Sequence, residues 1–286
     1  MDITIIGTGN MGRAIATRAL AGAGARVVVP ARRRSVAEAA LAGIDGVEVD
    51  ELELADMDSV RAFSRRFLAS GRDIDLMINN AGIMAVPQTR VGPGWEAQFA
   101  TNHLGHHALV NHLWPAIEQG GARVVSVSSH GHHASDIHWD DVHFEHGYDK
   151  WQAYGQAKTA NVLFAVQLDI LGRDAGVRAF SVHPGTVRTQ LTRSLSEAEN
   201  TGLAKAIAAS PRPVEYKTPR QGAATQVWAA TSPRLAGMGG VYCEDCDIAE
   251  LADAGANGVA ARAVDPERAA RLWALSAELT GADAFA

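Results

Sequence analysis

The hydrophobic positions of the chain form short continuous runs that alternate with longer, alanine-rich stretches of helical pattern. Seven short β-branched runs predict strands at residues 3–6, 26–29, 47–51, 74–79, 123–128, 177–183 and 240–243. Most of them are apolar throughout, which is typical of parallel strands that are buried on both faces of a sheet. The stretches between them predict helices at residues 11–23, 35–41, 56–70, 95–119, 151–174 and 219–230.

This alternation predicts βαβ units with right-handed crossovers, and therefore a doubly wound parallel sheet in an α/β fold. We expect a single domain over residues 1–286. The rhythm breaks at residues 188–216, which are polar, carry no strand and end in Pro211-Arg212-Pro213. A long excursion of this kind indicates a mobile lid over a substrate site. The alanine-rich tail at residues 247–286 is predicted to be helical.

The composition narrows the classes of protein that fit this pattern. The chain has 286 residues, a net charge of −6 and only two cysteines. The charge argues against a basic nucleic-acid or membrane surface, and the cysteine count excludes a disulfide scaffold and a four-cysteine zinc site. No apolar run approaches the ~20 residues that cross a bilayer, and the first residues lack the features of a signal peptide. We therefore expect a cytoplasmic protein with no nucleic-acid or membrane partner.

A glycine-rich turn lies directly after the first predicted strand, in Gly7-Thr8-Gly9-Asn10-Met11-Gly12. Glycines at this spacing let the backbone approach a pyrophosphate, and the N-terminus of the following helix favours its negative charge. The turn therefore predicts a bound dinucleotide. The alternative is a tight strand-to-helix turn without a ligand.

The end of the second predicted strand bears on which dinucleotide would bind. An acidic residue there would hold the ribose 2′-hydroxyl of NAD, but this chain has Arg32 and Arg33. Arginine suits a 2′-phosphate by charge and by geometry, and Arg13 after the last glycine adds a third candidate. The pattern favours NADP(H) over NAD(H). The alternative is a solvated basic helix start.

Tyr154 and Lys158 are the strongest candidates for chemistry. Residues four apart lie on one face of a helix, and a lysine ammonium beside a tyrosine lowers its pKa. With a positively charged nicotinamide, Lys158 would bring the tyrosine pKa toward about 7. Tyr154 would then exchange a proton with an alcohol or carbonyl oxygen. Such a pair alone is common on protein surfaces.

Further polar stretches of the sequence support a functional role for Tyr154 and Lys158 over a chance pairing. They lie at or beside the carboxyl ends of predicted strands, where open α/β sheets bind ligands. These stretches are Asn79-Asn80-Ala81-Gly82, Asn102-His103-Leu104-Gly105, Ser128-Ser129 and Pro184-Gly185-Thr186-Val187-Arg188-Thr189.

Together these motifs resemble the short-chain dehydrogenase/reductase family, and most of all its retinol-dehydrogenase-like branch. The resemblance covers about residues 25–250. It implies a Rossmann fold and an NADP(H)-dependent oxidoreductase that transfers a hydride between the nicotinamide and a small-molecule alcohol or carbonyl substrate. The family's use of its long helices, here 95–119 and 151–174, implies a homodimer or a homotetramer.

The resemblance assigns catalytic roles to four residues. Tyr154 matches the general acid/base, and Lys158 matches the residue that lowers the tyrosine pKa and holds the nicotinamide ribose. Ser129 matches the serine that hydrogen-bonds the reacting oxygen, in preference to Ser128. Asn102 matches the asparagine that seats a proton-relay water.

The same resemblance assigns further residues to the cofactor. Asn79, Ala81 and Gly82 match the loop over the adenosine side. The segment that orients the carboxamide is matched by Pro184, Val187 and Thr189. Glu53 stands where the family often has an aspartate that meets the adenine amine.

The opening departs from the family, whose turn is usually Thr-Gly-x-x-x-Gly-x-Gly. Residues 1–20 instead resemble the start of deazaflavin-linked NADP reductases or of pyrroline-carboxylate reductases. Divergence within one architecture and a hybrid origin both fit this departure. Two other functions stay open with it: a dinucleotide-binding regulator that has lost efficient catalysis, and a deazaflavin-linked reductase.

A cluster of histidines before Tyr154 raises a metal site as an alternative. Zinc binds imidazole, but only in a definite ligand geometry. We favour a polar substrate-side loop without a metal, in which His130 or His133 contacts the ligand. Cys243 and Cys246 are interpreted as reduced, inert thiols. The clustered histidines are His130, His132, His133, His138, His143 and His146.

Overall fold

The structure is a computed structural model that describes residues 2–6, 10–20, 26–209, 215–252 and 257–286, without the side chains of residues 5, 6, 10 and 18–20. All seven predicted strands are present and run parallel in one sheet. The strands of the described chain are β1 (Asp2–Ile6), β2 (Arg26–Ala31), β3 (Val47–Glu51), β4 (Leu76–Asn79), β5 (Arg90–Val91), β6 (Trp95–Glu96), β7 (Arg123–Val127), β8 (Arg178–His183), β9 (Val241–Glu244) and β10 (Asp247–Ile248).

The main sheet has the order β10-β9-β8-β7-β4-β1-β2-β3, as in a doubly wound fold. The crossover between β3 and β4 carries the chain back past β1, so the strand order reverses between β1 and β4. Its eighth strand, β10, pairs antiparallel with β9, and β5 pairs with β6 in a separate hairpin. Sequence analysis missed these strands because each has only two residues and no apolar run.

Ten α-helices accompany these strands in the described residues. They are α1 (Asn10–Leu20), α2 (Arg34–Leu41), α3 (Met57–Ala69), α4 (Ala97–Phe99), α5 (Gly105–His112), α6 (Trp114–Gly120), α7 (Lys150–Gly172), α8 (Glu197–Ala208), α9 (Pro219–Thr231) and α10 (Pro266–Thr280). None of the helices in this part of the chain is long and apolar enough to cross a membrane.

The long helix predicted at 95–119 is broken into pieces. The carboxylate of Glu96 accepts the N–H groups of Gln98 and Phe99, so the first helical turn starts at Ala97. A π-helical turn, Ala100–Leu104, follows, and Pro115 at the start of α6 separates α5 from α6. Proline has no N–H to donate to the preceding turn, which explains the second break.

The predicted excursion at 188–216 contains a helix that the sequence analysis did not assign. Ser196 and Glu199 form a reciprocal capping box at the start of α8. The Ser-x-x-Glu spacing is visible in the sequence and could have identified the helix. The Pro211-Arg212-Pro213 segment lies outside the described residues. In the described part of the tail, residues 247–252 and 257–286, α10 is the one α-helix, and β10 precedes it.

Two apolar layers cover the sheet. On one face, Ile3, Val27 and Phe180 pack with Ile15 of α1 and Ala223 of α9. On the other face, the strands pack against α3, α5 and α7, and α10 lies outside α7; the buried residues there include Val124, Phe63, Leu109, Leu168 and Trp273. The layers leave the carboxyl ends of β4, β7 and β8 together at one edge of the sheet.

Gly105 allows α5 to pack directly against the chain after β3, which leads to a stability prediction. A Cβ on Gly105 would overlap the carbonyl oxygen of Leu54 and lie 2.7 Å from the Leu54 Cβ. We expect Gly105→Ala to lower the free energy of unfolding by about 2 kcal/mol or more, because packed backbones move apart only at a cost. Urea titration checks this value.

Gly202 in α8 is the matched control, because a Cβ there meets nothing within 4 Å. Gly202→Ala should be neutral or stabilising by up to about 1 kcal/mol, since alanine favours helix over glycine. Equal losses of stability in the two variants would contradict the packing argument.

Candidate active site

Ser129 faces Tyr154 where β7 meets the start of the next turn. The Tyr154 hydroxyl hydrogen-bonds the Ser129 side chain, and Ser129 Oγ also accepts the Gly131 N–H at 3.1 Å. Ser128 is buried, and its Oγ donates to the backbone oxygen of Lys158 at 2.8 Å. Ser129 therefore presents its hydroxyl to the tyrosine, whereas Ser128 holds the backbone of α7.

Lys158 lies one turn after Tyr154 on the same face of α7, and both side chains are 5% exposed. Its Nζ is 5.6 Å from the centroid of the Tyr154 ring and donates to the Val127 carbonyl at 2.9 Å. Burial lowers the pKa of Lys158 to about 8. The carboxyl end of β7 thus holds the lysine amine beside the tyrosine.

The acidity of Tyr154 differs from the expectation drawn from the sequence. Burial raises the pKa of Tyr154 to about 12, and the hydrogen bond with Ser129 only partly opposes that rise. Loss of solvation is therefore the dominant effect on the pKa of this phenol. The phenol is therefore protonated at neutral pH, which suits it to donate a proton to a carbonyl oxygen.

Asn102 lies in the π-helical turn, fully buried, with its side chain bound to the loop after β4. Its Oδ1 accepts the Ile83 N–H at 2.8 Å, and its Nδ2 donates to the Ile83 carbonyl at 2.9 Å. A Cβ on Gly82 would lie 3.0 Å from Asn102 Oδ1 and 3.7 Å from Lys158 Nζ. Gly82 therefore lets the loop pass between Asn102 and Lys158.

Asn79, at the end of β4, is 1% exposed. Both atoms of its side-chain amide lack a hydrogen-bond partner among the described residues. A buried amide without partners is costly unless a ligand satisfies it. Together with half-buried Ala81 and Gly82, this residue fits a polar group such as a nucleotide at the carboxyl edge of the sheet.

The arginines predicted to select the dinucleotide lie at the end of β2. Arg32 and Arg33 are exposed, and Arg32 Nε is 3.5 Å from Glu53 Oε2. Glu53 also accepts the Ala55 N–H at 3.3 Å, so its carboxylate is shared between Arg32 and its own loop. Arg13 donates to the Ala40 carbonyl and is thereby directed to the end of α2.

Met11 of α1 and Val187, in the segment after β8, both contact α9 at Gly222. A Cβ on Gly222 would lie 2.5 Å from Val187 Cγ2 and 2.9 Å from Met11 Sδ. Val187 also forms a β-bridge with Lys217, and Thr189 Oγ1 accepts the Leu191 N–H at 3.2 Å.

The remaining residues predicted to contact the cofactor are placed as follows. Pro184 is half-buried directly after β8, and Gly12 is buried in the first turn of α1. Gly7, Thr8 and Gly9 lie outside the described residues, and Asn10 is described only as the first backbone position of α1.

Two histidines of the cluster after Ser129 use their rings for structural contacts. His132 Nδ1 lies 2.7 Å from the Ser129 carbonyl, and its Nε2 accepts the Ala260 N–H at 3.1 Å. His133 Nε2 lies 3.2 Å from the Gly258 carbonyl. Within the described ranges, no group of three or more His, Cys, Asp or Glu side chains is arranged to hold a metal ion.

Cys243 and Cys246 lie at the β9–β10 hairpin, with Asp245 and Cys246 at positive φ in its turn. Burial raises the pKa of the Cys243 thiol to about 12, so this thiol is protonated and unreactive at neutral pH.

Sequence analysis missed two glycines that shape this site. A Cβ on Gly131 would lie 2.8 Å from Tyr154 Cε1, and Gly222 separates Met11 from Val187. Gly131 lies two residues after Ser129, and this position next to a candidate catalytic serine could have identified it from the sequence. Gly222 lies inside a helix pattern, where no local signal distinguishes it.

The chain is similar to proteins of one enzyme family. A family model described as short chain dehydrogenase matches residues 3–200. A probable oxidoreductase of Streptomyces lividans is 41% identical over 284 residues, covering 93% of this chain and 92% of that protein. Retinol dehydrogenase 11 of Mus musculus is 36% identical over 269 residues, covering 92% of this chain and 80% of that protein.

A solved structure shows the same similarity. The crystal structure of an uncharacterized protein from Mycobacterium paratuberculosis aligns with a TM-score of 0.75 at 34% identity, covering 100% of this chain and 94% of that one.

Proposed function

Because the chain belongs to the short-chain dehydrogenase/reductase family, we propose that it is an NADP(H)-dependent oxidoreductase acting on an alcohol or carbonyl substrate. Members of this family bind a nicotinamide cofactor and act on small molecules. The observation that carries the proposal is the convergence of Ser129, Tyr154, Lys158 and Asn102 at the carboxyl edge of the sheet.

The proposed mechanism uses Tyr154 as the proton donor in reduction and the proton acceptor in oxidation. Its hydroxyl is held by Ser129, whose own Oγ is oriented by the Gly131 N–H. A substrate oxygen between the two hydroxyls would accept hydrogen bonds from both. Lys158 supplies the positive charge that stabilises the phenolate left after proton transfer. The nicotinamide supplies or accepts the hydride.

Several observations support a dinucleotide along this edge. The unpartnered amide of Asn79 offers a donor and an acceptor, and Gly82 removes the side chain that would separate a ligand from Asn102 and Lys158. Met11, in the first turn of α1, and Val187 both lie against Gly222. The exposed guanidinium groups of Arg32 and Arg33 suit the 2′-phosphate of NADP.

The substrate side is mainly apolar. Tyr154 lies in a buried cluster with Met84, Ala85 and Leu195, against which Trp151 and Leu203 pack. A cavity of about 420 Å³ next to this cluster is lined by Trp151, Glu199, Gly202, Leu203 and Ala206. Helix α8 thus forms one wall of the cavity, and the Lys150–Glu199 ion pair ties that wall to α7. We infer a substrate with an apolar body.

The two arginines give a prediction about cofactor choice. The double variant Arg32→Ala/Arg33→Ala should lower kcat/KM for NADPH by about 10²- to 10⁴-fold, because each of the two charged hydrogen bonds to phosphate contributes roughly 1.5–3 kcal/mol. The value for NADH should change little, since it has no 2′-phosphate. Steady-state kinetics with both cofactors measure the change in preference.

Arg34→Ala is the matched control, because Arg34 Nε is engaged 2.8 Å from Glu38 Oε1 within its own helix. It should leave the NADPH-to-NADH ratio unchanged. If the double variant loses kcat/KM equally with NADPH and with NADH, the two arginines do not bind the 2′-phosphate.

Oxidation of NADPH with a panel of aldehydes and ketones tests the function itself. Turnover with at least one apolar carbonyl compound supports the proposal. Tight NADPH binding without turnover of any compound would instead indicate a dinucleotide-binding regulator. Turnover with a deazaflavin alone would indicate a deazaflavin-linked reductase.

A further inference from the structure

The π-helical turn leaves the main chain at Asn102 in an unusual environment. The Gly105 N–H donates to the Ala100 carbonyl, five residues back, instead of four as in an α-helix. The side chain of Asn102 forms hydrogen bonds with both backbone groups of Ile83. The backbone carbonyl oxygen of Asn102 lies 3.0 Å from Nδ1 of His106. Since a carbonyl can only accept, Nδ1 carries the proton and donates it.

The other ring nitrogen of His106 is equally informative. The side chain is 2% exposed, and Nε2 has no hydrogen-bond partner among the described residues. Burial, together with the facing Lys158 ammonium of α7, lowers the pKa of His106 to about 4. His103, on the π-helical turn, is a second titratable group near His106, and its pKa is also lowered by burial. Both rings are therefore neutral at pH 7.

Asn102 and Lys158 both lie beside Gly82. One point beside that glycine, its Cβ position, lies 3.0 Å from Asn102 Oδ1 and 3.7 Å from Lys158 Nζ. Because Asn102 also binds Ile83, a rotation of the π-helical turn would move the loop at Gly82 and Ile83, which lies beside the lysine amine. The N–H of the His106 ring restrains the backbone carbonyl of Asn102, which the Asn102 side chain does not contact.

We propose that His106 is a positioning residue, which holds the Asn102 carbonyl and so keeps Lys158 beside Tyr154 for proton transfer. As a neutral ring it does this without adding a second positive charge next to Lys158. The proposal rests on the proposed function, because it concerns the same proton transfer. His106 itself touches neither the substrate nor the reacting atoms.

Three substitutions separate positioning from simple packing. His106→Phe keeps an aromatic ring but removes the N–H donor. His106→Asn restores a donor, because Asn111 Nδ2 in the same helix donates to the His107 carbonyl at 2.9 Å, also four residues back. His107→Phe is the matched control: this ring is as buried, packs 4.7 Å from Trp273, and its Nε2 lies 3.4 Å from Asn111 Nδ2.

We expect His106→Phe to lower kcat by about 10- to 100-fold, the range that follows from small misplacements of catalytic groups, with little change in the KM for NADPH. The alkaline limb of the pH–rate profile should move to higher pH, because Tyr154 loses part of the support from Lys158. His106→Asn should recover most of kcat and the original profile. His107→Phe should lower Tm but leave kcat and the profile unchanged.

Similar kcat values and pH profiles for His106→Phe and His107→Phe would overturn the positioning role, since both would then be packing losses. An inactive wild-type protein would instead overturn the proposed function. Wild-type turnover that depends on Tyr154 but not on His106 would leave the function standing and remove only this inference.

Discussion

Tyr154→Phe is expected to remove nearly all turnover while NADPH still binds. The substitution removes the one hydroxyl that Ser129 holds at the site and leaves the ring in its buried place. General acid–base catalysis by a positioned side chain contributes about 10²- to 10⁴-fold, so kcat should fall by that range. The lost hydrogen bond should lower the free energy of unfolding by only about 1 kcal/mol. Kinetics and NADPH fluorescence titration measure the two effects.

Tyr148→Phe is the matched control for this variant. Its hydroxyl donates to the Val86 carbonyl at 2.9 Å and lies 3.1 Å from Gln98 Nε2, so it supports the loop after β4. Losing it should reduce stability by a similar amount and leave kcat near the wild-type value. Equal losses of kcat in both variants would mean that the loop, and not the Tyr154 proton, limits the rate.

Lys158→Met should lower activity and raise stability at the same time. Methionine has nearly the length of lysine without its charge, so the phenolate of Tyr154 loses its support and kcat should fall by about 10²-fold or more. We also expect the KM for NADPH to rise, because the lysine matches the residue that holds the nicotinamide ribose. This increase distinguishes the variant from Tyr154→Phe.

The stability change follows from the lysine pKa, which burial lowers from 10.5 to about 8. The unfolded chain therefore binds a proton that the folded chain loses more easily. Wild-type stability falls as pH decreases from 10.5 to 8, with a penalty of about 3 kcal/mol below that window. After subtracting the lost hydrogen bond to Val127, Lys158→Met should gain about 1–2 kcal/mol at pH 7. The gain should disappear above pH 10.5.

Urea unfolding at pH 7 and at pH 11 measures this difference. If Lys158→Met is less stable than the wild type at pH 7, then burial of the Lys158 ammonium does not destabilise the folded protein. A stabilised variant with wild-type kcat would show that Lys158 is not part of the proton transfer.

The sequence predicts the sheet well because parallel strands have a strong local signal. Continuous β-branched runs mark all seven parallel strands, and the carboxyl ends of β4 and β7 bring Asn79 and Ser129 to one edge. The spacing of Tyr154 and Lys158 places both on one face of α7, as helix geometry requires.

What the sequence does not predict depends on contacts between distant segments. The π-helical turn at Asn102 is stabilised by the backbone of Ile83, which no local pattern in residues 95–119 reveals. The raised pKa of Tyr154 comes from burial, which depends on the closed site. The two-residue strands are too short to leave a pattern. The proposed homodimer or homotetramer depends on surfaces between chains and stays a prediction.

Transfer of deuterium from NADPH labelled at both C4 positions of the nicotinamide tests the central claim most directly. The labelled cofactor is incubated with apolar aldehydes and ketones, and the alcohol products are analysed by mass spectrometry for wild type and Tyr154→Phe. We predict deuterium on the carbinol carbon with the wild-type protein and almost none with the variant. Unlabelled products throughout, or equal labelling by both proteins, would contradict a hydride transfer supported by the Tyr154 proton.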